Sequence, residues 1–301
     1  MEKIKNLISE KILGEVITNF PLKEYTSFKI GGIADLYVCP NNLMELLNTL
    51  SILKENNVPY FLLGAGSNLL ISDKGIRGAV IKLGDGFDYA HAKGDYILAG
   101  AGVSLAKLAL EAKNAELTGL EFAAGIPGSL GGALYMNAGA YGGEMKDVVT
   151  EVSFIDEDGT VKTIPCSECG FGYRKSAFSK GNKIIISAKI TLKKGNKDEI
   201  SATMRDLNNK RKEKQPLEYP SAGSTFKRPQ GHFAGSLIEQ AGLKGYTVGG
   251  AQVSEKHAGF VINTGNATAK DVCELIEYVK KTVFEKFGVK LEPEVKITGE
   301  E

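Results

Sequence analysis

The sequence has almost no net charge: 37 Lys and Arg stand against 36 Asp and Glu, leaving +1 at pH 7. So even a balance excludes a global field that would draw the chain to nucleic acid or an anionic membrane, and any anion selectivity has to be built locally. Cysteine is scarce, and Cys39, Cys166, Cys169 and Cys273 are too scattered for a disulfide framework. Cys166 and Cys169 have C-x-x-C spacing, but a second pair is missing and His91, His232 and His257 lie far apart, so no metal site is expected. No secretory leader is evident, because Glu10 and Lys11 interrupt the chain before an apolar stretch can form behind Lys3 and Lys5. With no run fit to span a bilayer, a cytoplasmic protein without a membrane partner is expected. Repeats and low-complexity tracts are also missing.

What is present is the composition of a globular enzyme-sized chain, 43% hydrophobic and 24% charged over 301 residues, enough for two or three domains. Helical stripes are expected at 1–12, from Leu43 to Leu53 behind an Asn41 or Asn42 cap, from Ser104 to about Asn114, over 198–214, and from Thr268 to Phe287. Strands are expected near 35–39, 60–63, 78–83, 96–101, 183–192, 248–253, 259–263 and 289–298. A hairpin is expected at 151–164 around Asp156-Glu157-Asp158-Gly159. Hairpins mixed with helices, without regular βαβ alternation, predict an α+β fold. Gln215-Pro216 and Tyr219-Pro220 mark a boundary.

Two glycine-rich stretches organise the chain. The first, GAGSNLL, follows a strand directly. Gly64 and Gly66 permit a tight turn with exposed backbone, and Ser67 and Asn68 add short polar groups suited to phosphate oxygens. It departs from the dinucleotide pattern G-x-G-x-x-G, since Leu69 stands where the third Gly belongs. The second, TGLEFAAGIPGSLGGALYMNAGAYGGE, carries no charge between Phe122 and Gly143 yet holds Gly125, Gly128, Gly131, Gly132, Gly139, Gly142 and Gly143. That much glycine spoils a membrane span but lets backbone N–H groups approach a large polar ligand. The two loops are read as halves of one nucleotide-cofactor cradle. Three polar residues elsewhere stand out only weakly when taken singly: Arg174 in a short loop, Ser224 in a small-residue turn and Glu294 in LEPEV.

Read together, YTSFKIGG, LLGAGSNLL, GLEFAAGIPGSLGGALYMNAGAYGGE, FGYRKSAF, PSAGSTFKRP, HAGFVIN and LEPEVKITG follow one order from Tyr25 to Gly299. In that order the chain resembles the UDP-N-acetylenolpyruvoylglucosamine reductases, in the shorter subtype that lacks an extra tyrosine-bearing loop. The resemblance implies an α+β, FAD-binding fold of the p-cresol methylhydroxylase type in two subdomains, 1–83 and 84–196, plus a C-terminal α+β substrate domain at 197–290. The terminal strand at 291–301 would return near the first subdomain. FAD and NADPH are the implied cofactor and reductant, and UDP-N-acetylglucosamine enolpyruvate the implied substrate, with no nucleic acid or obligate protein partner.

By motif, Gly64, Ala65, Gly66, Ser67, Asn68 and Leu69 would meet the pyrophosphate, and Gly125, Gly128, Ser129, Gly139 and Ala140 would line the rest of the flavin site. Arg174 would hold the substrate carboxylate, Glu294 would support the enolate-like charge and Ser224 would give a proton to the adjacent carbon. Tyr141, Tyr173, Lys227 and Lys296 would contact substrate, with Lys227 suited to the diphosphate. Arg228 stands where many relatives carry Asn, and Lys296 where Arg is common. Two other readings fit the same clefts: a flavin oxidase of this fold, although GAGSNLL lacks a histidine to tether FAD, and a non-catalytic regulator that binds flavin or a nucleotide sugar.

Overall fold

The computed structural model describes residues 1–300. Its chain begins with α1 (Glu2–Ser9), β1 (Glu15–Pro21), β2 (Ile33–Cys39), α2 (Leu43–Glu55), β3 (Tyr60–Leu62), β4 (Leu69–Ile71) and β5 (Ile76–Ile81). It continues through β6 (Ala90–Lys93), β7 (Tyr96–Gly100), α3 (Leu105–Asn114), β8 (Leu117–Thr118), α4 (Leu130–Met136), β9 (Gly139–Ala140) and β10 (Gly143–Glu144). Next come β11 (Val149–Ile155), β12 (Val161–Pro165), β13 (Ile184–Thr191), β14 (Lys193–Lys194) and α5 (Lys197–Lys214). The last elements are α6 (Ala234–Gln240), β15 (Thr247–Val248), β16 (Ala251–Val253), β17 (Val261–Asn263), α7 (Ala269–Phe287) and β18 (Lys296–Thr298). No described helix is long and apolar enough to cross a membrane.

The chain forms two units, one from residues 1–18, 36–65 and 79–211, the other from 19–35, 66–78 and 212–301. In the first, β12-β11-β13-β7-β6 make an antiparallel sheet. Leu105, Leu108 and Ala112 of α3 and Leu130, Ala133 and Leu134 of α4 share a core with Ile97, Val152, Ala188 and Ile190 of that sheet. A second core joins Ile4 and Ile8 of α1 and Leu46 and Leu53 of α2 to Ala79 and Ile81, with β3 and β5 paired in parallel. In the second unit, Val272, Leu275, Ile276, Val279 and Val283 turn the apolar face of α7 onto Leu237 and Ile238 of α6 and onto Phe28, Ile30 and Leu70. β18 pairs in parallel with β4, and β15-β16-β17 form an antiparallel meander.

Four differences from the sequence reading have local causes. The glycine-rich stretch, read as loop, contains α4, because the Ser129 hydroxyl accepts the Gly132 N–H and caps a turn that core packing then holds. The strand expected at 248–253 is the β15–β16 hairpin, turned at Gly249-Gly250. The strand expected at 289–298 is confined to β18, since Pro293 and its neighbours bridge instead to Phe226. β1, β4, β6, β8, β14 and α6 lie where the sequence reading assigned no element.

Candidate active site

In the first unit the site is built around α4. Ser129, 8% exposed, bridges to Ser104, while Leu105 N–H donates to Gly128 O at 2.9 Å and Leu130 N–H to Val103 O at 2.8 Å. These bonds fix the start of α4 against the start of α3. A Cβ built on Gly64 would lie 3.0 Å from Ser129 Oγ, so the first glycine of GAGSNLL packs directly on this cap. Gly125 lies beside the Asn208 side chain of α5, where an added Cβ would come within 2.5 Å of Oδ1.

The C-terminal end of α4 runs into the β9–β10 hairpin. Its two-residue turn, Tyr141-Gly142, has both φ angles positive, +52° and +90°, the geometry that matches strand twist in tight hairpins. A tyrosine tolerates this poorly, and here it sits at an exposed tip. Gly139 and Ala140 form the strand leading into that turn.

Arg174 sits in a second tight turn. Gly172 and Lys175 exchange backbone hydrogen bonds of 3.0 and 3.3 Å, and Arg174 adopts φ +53°. Its guanidinium carbon lies over the Tyr173 ring, 5.3 Å from the ring centre, within cation–π range. Both ends of the turn hang on α4: Ser176 Oγ donates to Tyr135 O at 2.7 Å and Asn137 Nδ2 to Gly172 O at 3.2 Å. The Lys146 ammonium, 2.9 Å from Glu144, holds the Glu144 carboxyl below its ordinary range, against burial and with help from the Asn137 amide and Arg174. The sequence reading missed Asn137 and Ser176. Their signal was an Asn at a helix end, where left-handed backbone is wanted, and a Ser just after the arginine.

The second unit carries the other candidates. Thr225 is buried and bonded on three sides: its N–H to Gly259 O (2.8 Å), its hydroxyl from Val261 N–H (2.9 Å) and its carbonyl from Glu294 N–H (2.8 Å). Lys227 N–H donates to Glu292 O at 2.9 Å, completing a short antiparallel pairing of 225–227 with 292–294. Glu294, only 8% exposed, therefore lies opposite Thr225 at one end of that pairing, and the exposed Ser224 is the residue before Thr225. Asn68 Nδ2 donates to Glu294 O at 3.2 Å, and Asn68 O accepts Lys296 N–H at 3.0 Å, so the Ser67-Asn68-Leu69 run lies alongside the same strand. Lys227 Nζ pairs with Glu292 at 3.1 Å, an exposed pair of the kind that is worth little and easily exchanged for a stronger anion.

Gly66 adopts φ +66°, and a Cβ there would lie 2.0 Å from Tyr25 O. The backbone N–H groups of residues 64–68 have no acceptor among the described residues. A row of unpaired donors in a glycine turn fits the pyrophosphate of a dinucleotide cofactor.

Residues 34–165 match the family described as FAD binding domain, and residues 215–298 the one described as UDP-N-acetylenolpyruvoylglucosamine reductase, C-terminal domain. The UDP-N-acetylenolpyruvoylglucosamine reductase of Caldanaerobacter subterraneus is 54% identical over 300 residues, covering 100% of this chain and 98% of that protein. The crystal structure of the Thermus caldophilus UDP-N-acetylenolpyruvylglucosamine reductase superposes with a TM-score of 0.81 at 39% identity, over 94% of this chain and 98% of that one. A glucose dehydrogenase, Phl p 4.0202, shares the fold alone, with a TM-score of 0.50 and 12% identity over 97% of this chain and 61% of that one. Scaffold and cradle thus define a flavin-binding protein of the p-cresol methylhydroxylase fold. Within that class, the chain belongs to the UDP-N-acetylenolpyruvoylglucosamine reductases.

Proposed function

We propose that this chain reduces the enolpyruvyl ether of UDP-N-acetyl-3-O-(1-carboxyvinyl)-glucosamine to UDP-N-acetylmuramate, a step of peptidoglycan precursor synthesis, using FAD and NADPH. Bound FAD would supply the redox chemistry, the two-electron reducing equivalent coming from NADPH and ending as hydride on the methylene carbon of the enolpyruvyl group. An electron-rich vinyl ether is a poor hydride acceptor, so the negative charge that develops beside the carboxylate must be stabilised where it appears.

Arg174 is assigned to that carboxylate. Glu294 is assigned to the developing enolate, which requires its carboxyl to carry or share a proton, since two anions in contact would repel. Ser224 is assigned as proton donor to the ether-bearing carbon, and a hydroxyl can do this only for a strongly basic carbon held close. What supports this reading is the 2.8 Å bond from Glu294 N–H to Thr225 O, which brings the backbone of Glu294 next to the residue that follows Ser224. Gly64 to Leu69, Gly125, Gly128, Ser129, Gly139 and Ala140 are assigned to FAD, and Tyr141, Tyr173, Lys227 and Lys296 to the substrate. The division into 1–83, 84–196 and 197–290, with 291–301 returning to the first part, is proposed on the same grounds. A cytoplasmic site follows from a nucleotide-linked substrate and NADPH.

The test is an anaerobic titration of the Ser224→Ala variant. NADPH should bleach its flavin as in the parent protein, and the enolpyruvyl substrate should then fail to restore the colour. Normal recolouring would remove Ser224 from the chemistry.

A further inference from the structure

We propose that Asn137 is a positioning residue whose buried side chain fixes the Arg174 turn relative to the Gly139-Ala140 hairpin. The proposal rests on the reading of Arg174 as the group that holds the substrate carboxylate. Asn137 is 1% exposed and closes α4 in left-handed backbone, φ 48° and ψ 59°. Glycine is the usual residue at such a helix end and asparagine the next, but only asparagine adds a side chain that can bond beyond the helix. Its carboxamide is fully used: Nδ2 donates to Glu144 Oε2 at 2.8 Å and to Gly172 O at 3.2 Å, while Oδ1 accepts Lys146 N–H at 3.0 Å. With two donors and an acceptor one amide ties the end of α4 to two segments at once, 144–146 and the Gly172 turn.

Those segments are the ones the reaction needs in register. Gly172 opens the turn bearing Tyr173 and Arg174, and Glu144 ends the hairpin that starts with Gly139. Without the amide, Gly172 O and Glu144 each lose a donor, and the turn keeps only its Ser176 to Tyr135 anchor among these bonds to α4. The charged groups around the amide are Glu144, Lys146, Asp147, Arg174 and Lys175. Lys146 and Arg174 act on Glu144, Asp147 accepts Glu144 N–H at 2.8 Å, and the Lys175 stem covers Gly172. A misplacement of about 1 Å in a binding group can cost on the order of 100-fold in rate.

Two variants of the flavin-loaded protein test this, with rates normalised to bound flavin. Asn137→Gly keeps the left-handed backbone and removes the amide; Asn137→Asp keeps the oxygen for Lys146 N–H and removes the donor. Asn137→Gly is expected to lower kcat/KM for the enolpyruvyl substrate about 10- to 100-fold and to weaken its binding, followed as a perturbation of the flavin absorbance. In an Arg174→Gln background the same change should cost almost nothing, because the residue acts through the arginine. Asn137→Asp should be impaired at neutral pH and recover as the pH falls, when the two adjoining carboxyls share a proton and one can donate again.

Full activity of Asn137→Gly, losses that add independently to those of Arg174→Gln, or a parental pH profile in Asn137→Asp would each overturn the proposal. If Arg174→Gln alone leaves kcat/KM unchanged, it is the underlying assignment of Arg174 that fails.

Discussion

At Gly66 two demands coincide, a left-handed φ of +66° and a carbonyl, Tyr25 O, lying 2.0 Å from where a Cβ would sit. Alanine there costs about 1–2 kcal/mol for the backbone alone, and relief of the clash must push apart the loop of unpaired N–H groups. Gly66→Ala should therefore lower the melting temperature by several degrees and reduce flavin retained per chain after gel filtration; an unchanged melt with full flavin would contradict this. Cys169 is a residue whose chemistry the fold removes. Burial pushes its thiol up to about 12, so native protein at pH 8 should leave it unalkylated by iodoacetamide while denatured protein reacts, as read by peptide mass. The sign of the linkage is that of a raised acid: its contribution is complete below the unfolded value of about 8.5 and is lost as pH climbs from there toward 12. Arg174, Ser224 and Glu294 show the limit of residue-level reading. Alone they look like a surface arginine, a turn serine and a strand carboxylate. Only motif resemblance selected them, because the burial of Glu294 and the anchoring of the Arg174 turn on α4 are set by partners distant in sequence.

Among the elements, those with a cap and an unbroken apolar stripe were legible. α3 starts behind Ser104 and α7 behind Thr268, as their sequences indicate, because each cap side chain accepts the N–H three residues on. α4 was not legible, since LGGALYM has two glycines and too little length to declare a period. Its stability comes from the Ser129 cap and from burial of Leu130, Ala133 and Leu134. The N-terminus of α7 has a support no local pattern announces. Asp73, from the β4–β5 connection, accepts Ala269 N–H at 2.8 Å and Lys270 N–H at 3.1 Å, while Thr268 and Asp271 form a reciprocal capping box. Free N–H groups at this end are thus met by three side chains. Asp73→Ala should destabilise the protein by about 1.5–3 kcal/mol, the range for hydrogen bonds to a charged group, visible as a lower midpoint in urea. Asp271 is held below its ordinary range, first by the Thr268 N–H, so its contribution is present above about pH 4 and fades as pH falls through the lowered value. Acid titration of the urea midpoint should show that decline, and Asp271→Asn should flatten it.

For the whole molecule, the second unit is assembled from 19–35, 66–78 and 212–301, and such discontinuity leaves no mark in composition. Phe28, Ile30 and Leu70 complete the core beneath α7, β4 supplies the partner strand of β18, and Asn263 Nδ2 donates to Phe28 O at 3.1 Å. A C-terminal piece alone would expose that core and leave β18 unpaired along its edge, a combination that neither stays folded nor stays soluble. A break in the connection after α5 should therefore leave the fold intact. With a site for a sequence-specific protease inserted between Leu217 and Glu218, where the chain is exposed, the two fragments should co-elute on native gel filtration and part only in denaturant. Residues 218–301 produced alone should show no cooperative melt, and should gain one when mixed with the 1–217 fragment that carries Phe28, Ile30 and β4. Separation of the cleaved fragments under native conditions would mean that residues 218–301 hold their own core, and the long-range bonds from Asn263 and β18 would then be incidental to stability rather than its source.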